Sequence, residues 1–155
     1  MNLNLSDKNA MVCASSQGLG KAAALELAKE GANLAICSRD QKKINKVRDE
    51  ILKQLENEVE ILALKIDLDN SKEIEEFHLR ATEHFDAVDI LVNNNGGPPP
   101  SSFEKLTDAD WEKAFNSTMM SCIRLSKLVI PKMKQKNWGR IINISSVSVK
   151  TPVTG

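Results

Sequence analysis

The stretch AMVCASSQGLGKAAALELAKEG, residues 10–31, decides the fold, because it holds an apolar run, a glycine-containing turn and a helical pattern in direct succession. The run Ala10–Ala14 is short and apolar, which is typical of a buried strand. From Leu19 onward, leucine and alanine recur at helical spacing, and the pattern ends at Gly31, a residue type favoured just beyond a helix. The stretch therefore predicts one strand–turn–helix unit.

The same alternation continues along the chain and predicts one doubly wound domain. Further strands are predicted at residues 33–37, 59–68, 88–92 and 140–144, and further helices at 40–57, 71–85 and 107–133, the last with a bend at Pro131. Strands separated by helices pair in parallel, and right-handed crossovers place helices on both faces of the sheet. We predict an α/β fold with strand order 3-2-1-4-5, truncated after the fifth strand, in a domain spanning 1–155 that is incomplete at its C-terminus.

Composition excludes several classes of partner. The 155 residues contain 21 Lys+Arg and 21 Asp+Glu, so there is no basic field for nucleic acid or an anionic membrane surface. No apolar run approaches the roughly 18 residues of a membrane span, and the amino terminus does not resemble a signal peptide. The chain has three cysteines, and their spacing is not that of metal ligands: Cys13, Cys37 and Cys122. This predicts free thiols in a cytoplasmic protein and no metal site.

The turn after the first strand, CASSQGLG, is a candidate phosphate-binding turn. Gly18 and Gly20 allow the backbone to turn tightly and to approach a pyrophosphate. The N–H groups of Leu19 and Gly20, at the positive end of the helix, would face the phosphates, and the hydroxyls of Ser15 and Ser16 would add donors. The alternative interpretation is an ordinary tight turn between a strand and a helix.

Residues at the ends of two strands are candidates for binding the rest of a dinucleotide, its ribose and its adenine. Arg39 follows the second strand, where a basic side chain accepts a ribose 2′-phosphate, so NADP is favoured over NAD. Asp40 is better explained as the N-cap of the next helix, and Arg39 could also be a solvated surface residue. Asp67 ends the third strand and could bond an adenine amino group, although a carboxylate that merely precedes a helix would look the same.

Five stretches of the sequence together resemble the short-chain dehydrogenase/reductase family in their order and spacing: CASSQGLG, ICSRD, KIDL, DILVNNNGG and GRIINISS. The resemblance spans nearly the whole chain and implies a Rossmann fold, hydride transfer between NAD(P) and a small-molecule carbonyl or alcohol, and a homo-oligomer. It implies that Ser146 is catalytic and hydrogen-bonds the substrate carbonyl. It also implies cofactor contacts at Asp67, Leu68, Asn94 and Gly96.

The departures from the family pattern matter as much. Cys13 and Ala14 stand where the family has Thr-Gly, and alanine is tolerable there only if its φ is negative. The family's active-site asparagine falls on Thr118, the second catalytic candidate. The family's Tyr-x-x-x-Lys is expected near position 159, and the 155 residues contain no tyrosine. We therefore expect the N-terminal part of a longer oxidoreductase, inactive by itself.

Two alternatives remain: a non-catalytic dinucleotide-binding or regulatory protein, and a chain that docks its fifth strand onto another. The fifth strand is expected to be an exposed edge. Because the preceding helix would lose its packing neighbour, we also expect four of its apolar side chains to be partly bare: Met119, Met120, Ile123 and Leu125. Trp111 and Trp138 are expected to be packing anchors.

Overall fold

The computed structural model describes residues 3–151 and contains one five-stranded parallel sheet of order β3-β2-β1-β4-β5, as predicted. The strands are β1 Asn9–Val12, β2 Asn33–Ser38, β3 Ile61–Lys65, β4 Ile90–Asn93 and β5 Arg140–Asn143. This order reverses direction between β1 and β4, which is the position where doubly wound sheets bind ligands.

Five α-helices connect the strands. They are α1 Gly18–Lys29, α2 Gln41–Leu52, α3 Ser71–Phe85, α4 Asp108–Phe115 and α5 Ser121–Gln135. The single helix predicted from Thr107 onward is instead divided into α4 and α5 by a π-helical turn, Asn116–Met120. Thr107 is the N-cap of α4, as predicted, and exchanges hydrogen bonds with Asp110 in a capping box. Pro131 lies within α5.

The largest differences between predicted and observed boundaries are in β3 and α2. β3 is shorter than the predicted 59–68, because it pairs only with β2 and the ladder extends from Leu34↔Ile61 to Ser38↔Lys65. The length of β2 therefore limits the length of β3. The helix α2 ends at Leu52 rather than near residue 57, and its last buried residue is Ile51. The N–H groups of the second and third residues after Leu52 bond to carbonyl oxygens three residues earlier, which ends the helix, and Leu55 packs against the core from this turn.

Helices cover both faces of the sheet, and each face has its own apolar core. On one face α1 and α2 bury Ala24, Ala28, Ile44, Val47 and Ile51 against the strands. On the other face α3 and α5 bury Ile74, Phe77, Leu125, Val129 and Met133. Strands of a parallel sheet are buried on both faces, and this accounts for the apolar composition of β1, β2 and β4.

The cysteines are free thiols, as predicted. Cys13 and Cys37 are buried side by side at the ends of β1 and β2. A hydrogen bond with Cys37, together with burial, raises the pKa of the Cys13 thiol. Both thiols are therefore packing residues in this fold. Among residues 3–151, no helix is both long and apolar enough to cross a bilayer.

A fully buried carboxylate lies at the end of the sheet where the strands begin. Asp89 precedes β4 and has no exposed surface. Lys136, just after α5, forms a hydrogen-bonded ion pair with its Oδ1, and the backbone N–H of Asn9 donates to its Oδ2 at 3.1 Å. This pair joins the end of α5 to the start of the two central strands.

The strand β5 is an edge of the sheet, and Ile142 on it is half exposed, as expected. Met119 is also half exposed, but the expectation of a bare Leu125 is wrong, because that side chain packs into the core formed with α3. Trp111 is not a packing anchor, since 52% of its surface is exposed. Trp138 is partly buried, with Lys8 and Arg140 against its ring.

Candidate functional site

A cleft of about 1150 Å³ opens at the carboxyl ends of β1, β2, β3 and β4. It is lined by segments that follow each of these strands and by one side of α4. Eight of the predicted site residues line it: Ser16, Gly18, Leu19, Arg39, Asp67, Leu68, Asn94 and Gly96. The fold thus brings four separate sequence motifs to one site, at the place expected for a ligand of a doubly wound sheet.

The helix α1 points its amino terminus into this cleft. It begins at Gly18, whose φ of +57° is a left-handed conformation that glycine adopts without strain. The N-cap residue, Gln17, makes no side-chain capping bond, and the first turn contains no acidic residue. The first N–H groups therefore have no capping side chain, and with the helix dipole they favour an anion.

Two members of the predicted phosphate turn have structural roles and do not line the cleft. A Cβ atom at Gly20 would lie 2.5 Å from the carbonyl oxygen of Ala14 and 2.7 Å from Nδ2 of Asn94, so only glycine fits against the turn. Ser15 is fully buried, and its hydroxyl donates to the carbonyl oxygen of Val12 at 2.5 Å. That hydroxyl is used within the turn.

The backbone at Ala14 is in the left-handed region, with a φ of +47°. The condition under which alanine is tolerated at this position, a negative φ, is not met. A non-glycine residue in this conformation costs about 1 kcal/mol or more. The side chain of Asn94 donates to the carbonyl oxygens of Cys13 and Ala14, at 3.2 and 3.3 Å, and these bonds help to hold the turn in place.

The end of β2 presents one cation to the cleft. Arg39 is exposed, lines the cleft, and forms no ion pair with any residue in the range 3–151. Asp40 is the N-cap of α2, as predicted, and accepts hydrogen bonds from the N–H groups of Lys42 and Lys43 at 2.9 and 3.1 Å. These bonds, chiefly the one from Lys43, lower the pKa of Asp40.

The end of β3 contributes a carboxylate and an apolar surface. Asp67 is partly buried, and its Oδ1 accepts a hydrogen bond from the N–H of Asp69 at 3.1 Å. Leu68 beside it is buried and lines the cleft. A polar acceptor next to an apolar side chain is a suitable environment for a heteroaromatic ring with an exocyclic amino group.

Sequence reasoning missed the far wall of the cleft. Asn95, Trp111 and Ser117 line it, together with three consecutive prolines, Pro98–Pro100. The run of three asparagines indicates Asn95 as well as Asn94, although the sequence prediction names only Asn94 as a cofactor contact. No local signal places α4 beside the strand ends, because that contact depends on the long connection after β4.

The two catalytic candidates do not line the cleft. The hydroxyl of Thr118 donates to the carbonyl oxygen of Ala114 at 2.6 Å, one turn earlier in its own helix. Ser146 lies beyond β5 and is exposed, and its Oγ is 2.6 Å from Oγ of Ser148. Among the described residues, no three His, Cys, Asp or Glu side chains cluster in a way that could hold a metal ion.

Comparison with known proteins gives consistent results. The family model described as short chain dehydrogenase matches residues 8–155. The uncharacterized oxidoreductase YvaG of Bacillus subtilis is 36% identical over 152 residues, which are 98% of this chain and 56% of that protein.

Two solved structures extend the comparison. A 7 alpha-hydroxysteroid dehydrogenase complexed with NADH and 7-oxo glycochenodeoxycholic acid has a TM-score of 0.90 at 30% identity, and the match covers 98% of this chain and 58% of that one. L-sorbose reductase from Gluconobacter frateurii, complexed with NADPH and L-sorbose, has a TM-score of 0.92 at 25% identity, with 99% and 57% covered. The chain therefore spans a little over half the length of these relatives.

Proposed function

This chain belongs to the short-chain dehydrogenase family, and on that premise we propose that the whole protein is an NAD(P)-dependent oxidoreductase with its dinucleotide in the cleft. The observation that supports the proposal is the convergence of the uncapped α1 amino terminus, Arg39, Asp67 and Asn94 on one cavity. When bound, the nicotinamide supplies the hydride chemistry, and the residues described here bind and orient the dinucleotide.

Each part of the dinucleotide has a matching surface in the cleft. The pyrophosphate would lie at the α1 amino terminus. A Cβ atom built at Gly18 would have no other atom within 4 Å, so there is room for the phosphates to approach the backbone closely. The adenine ring would lie on Leu68, with its amino group toward Asp67. Asn94 and Gly96 would contact the nicotinamide half, since they follow the adjacent strand β4.

We propose NADP as the preferred cofactor, because Arg39 is a cation without an ion-pair partner in the described chain and stands at the strand end where the adenosine ribose would lie. A charge-assisted hydrogen bond to a 2′-phosphate contributes roughly 1.5–3 kcal/mol, which corresponds to about a 10- to 100-fold change in affinity. The same contribution is absent for NADH, whose 2′-hydroxyl carries no charge.

The test is a titration of the protein with NADPH and NADH, followed by energy transfer from the cleft-lining Trp111. The variant Arg39→Ala should weaken NADPH binding about 10- to 100-fold and leave NADH binding nearly unchanged. The control is Arg48→Ala, which removes the same charge from an arginine paired with Asp49 on α2. Tighter binding of NADH than of NADPH to the wild type would refute the preference.

The chemistry of the substrate is proposed at the level of class. Relatives bind 7-oxo glycochenodeoxycholic acid and L-sorbose, which supports a small-molecule carbonyl or alcohol substrate. Ser146 is proposed to hydrogen-bond the substrate carbonyl, with Thr118 at the neighbouring catalytic position. A homo-oligomer and a cytoplasmic location belong to the same proposal, the latter supported by the free thiols of Cys13 and Cys37.

A second candidate function is non-catalytic dinucleotide binding. Two observations favour it: the strained Ala14 in the phosphate turn, and the engagement of the Thr118 hydroxyl with its own helix. The two functions differ in turnover. Nucleotide binding by the whole protein with no oxidation of NADPH across a broad carbonyl panel would favour the second candidate over the first.

A further inference from the structure

The π-helical turn between α4 and α5 forms part of the cleft wall. Within Asn116–Met120 the N–H of Ser121 donates to the carbonyl oxygen of Asn116, five residues earlier, rather than to that of Ser117. The carbonyl oxygen of Ser117 accepts two side-chain donors: the hydroxyl of Ser121 at 2.6 Å and Nδ2 of Asn95 at 2.8 Å. Single π turns inside α-helices occur frequently at functional sites.

Asn95 connects this turn to the loop after β4. Its Nδ2 donates to the carbonyl oxygen of Ser117, and its Oδ1 accepts from the N–H of Gly96 at 2.9 Å. The carboxamide nitrogen is therefore bonded to the π turn, and the carboxamide oxygen to the backbone of the loop after β4. Asn95, Gly96 and Ser117 all line the cleft.

The residues next to Asn95 and Ser117 form hydrogen bonds to the other walls of the cleft. Asn94 donates to the carbonyl oxygens of Cys13 and Ala14 in the turn that precedes α1. Asn116, next to Ser117, donates to the carbonyl oxygen of Asp69 at 3.0 Å, on the loop after β3. Consecutive carboxamides thus attach the loop after β4 to both the phosphate turn and the π turn.

We infer that Asn95 is a positioning residue of the dinucleotide cleft: its carboxamide, bonded to the carbonyl oxygen of Ser117, sets the distance between the α4 wall and the phosphate turn. The inference rests on the proposed function. Without this bond, the loop after β4 and the wall that carries Trp111 are no longer joined across the cleft. A nucleotide must then order both elements as it binds, and affinity falls.

The test uses two variants at position 95 and one matched control. Asn95→Ala removes the donor. Asn95→Asp keeps the shape and the acceptor for Gly96 but places a carboxylate oxygen against the carbonyl oxygen of Ser117. The control, Asn57→Ala, removes a carboxamide that donates to a backbone carbonyl oxygen at 3.0 Å and does not line the cleft. For each protein we would measure the NADPH dissociation constant, the thermal midpoint, and the Trp111-to-NADPH energy transfer at saturating nucleotide.

Both position-95 variants should bind NADPH about tenfold more weakly, with lower energy transfer at saturation, while the control keeps the wild-type affinity and energy transfer. A lowered thermal midpoint with unchanged dissociation constant and energy transfer would show a structural role only and overturn the inference. Wild-type affinity in Asn95→Asp would do the same. A wild type that binds neither NADPH nor NADH would instead overturn the proposed function, and the inference with it.

Discussion

Asn94 donates a side-chain N–H to the carbonyl oxygen of Ala14 at 3.3 Å, and so supports a residue whose φ is +47°. An L-residue in the left-handed region is strained, because its Cβ approaches the following carbonyl oxygen. At position 14, the proposed phosphate turn is therefore supported by a hydrogen bond from the residue after β4, where a glycine would adopt the same φ without strain. This relationship makes the stability of the turn a measurable quantity.

We expect Ala14→Gly to raise the free energy of unfolding by roughly 0.5–1 kcal/mol, as relief of strain exceeds the extra entropy of an unfolded glycine. Urea denaturation followed by circular dichroism would measure it. The control is Ala22→Gly in the exposed middle of α1, which should lower stability by about 0.5–1 kcal/mol. If both substitutions destabilise equally, Ala14 is not strained.

Gly20→Ala should destabilise the protein by about 1–3 kcal/mol, the usual range for overpacking, and should weaken NADPH binding. The added Cβ would lie 2.5 Å from the carbonyl oxygen of Ala14, so α1 must move away from the turn. Chemical denaturation and a nucleotide titration would measure the two effects. Gly97→Ala is the matched control, since its Cβ would meet no atom within 4 Å, and its stability should match the wild type.

Much of the fold could be predicted because its signals are local. The strand β1, the glycine turn and α1 follow one another within 22 residues, and the apolar runs and helical spacing of each element are visible in any short window. The sheet order then follows from parallel crossovers. The boundaries of β3 were less accurate, because they depend on the length of its partner strand.

The site was predictable only where a strand end indicated it. Gly18, Arg39, Asp67 and Asn94 each follow an apolar run, and all line the cleft. The contact between Asn95 and Ser117 joins positions 22 residues apart through a loop without regular pattern, and helical periodicity gives no sign of a π turn. The positive φ of Ala14 is likewise a property of the packed turn and not of its residue types.

The N-cap of α2 predicts a specific pH dependence. Hydrogen bonds from the N–H groups of Lys43 and Lys42 lower the pKa of Asp40 below its ordinary value of 3.8. A lowered folded-state pKa stabilises the protein above the unfolded value, and that stabilisation is lost as pH falls through the folded value. The carboxamide introduced by Asp40→Asn would accept the same bonds without titrating.

The thermal midpoint of the wild type should therefore fall more steeply than that of Asp40→Asn between about pH 5 and about pH 3. All other carboxylates titrate alike in the two proteins, so the difference between the two curves isolates Asp40. Parallel curves across this interval would show that the capping bonds do not depend on the charge of Asp40.

Lys136→Met should cost roughly 3 kcal/mol of unfolding free energy, because it leaves the fully buried carboxylate of Asp89 without its cation. Only the N–H of Asn9 would still bond that carboxylate. The double variant Lys136→Met/Asp89→Asn should recover much of the loss, since it removes the buried charge as well. Denaturation midpoints of the wild type, the two single variants and the double variant complete the cycle. Equal losses in Lys136→Met and in the double variant would mean that the lysine contributes through packing and not through its charge.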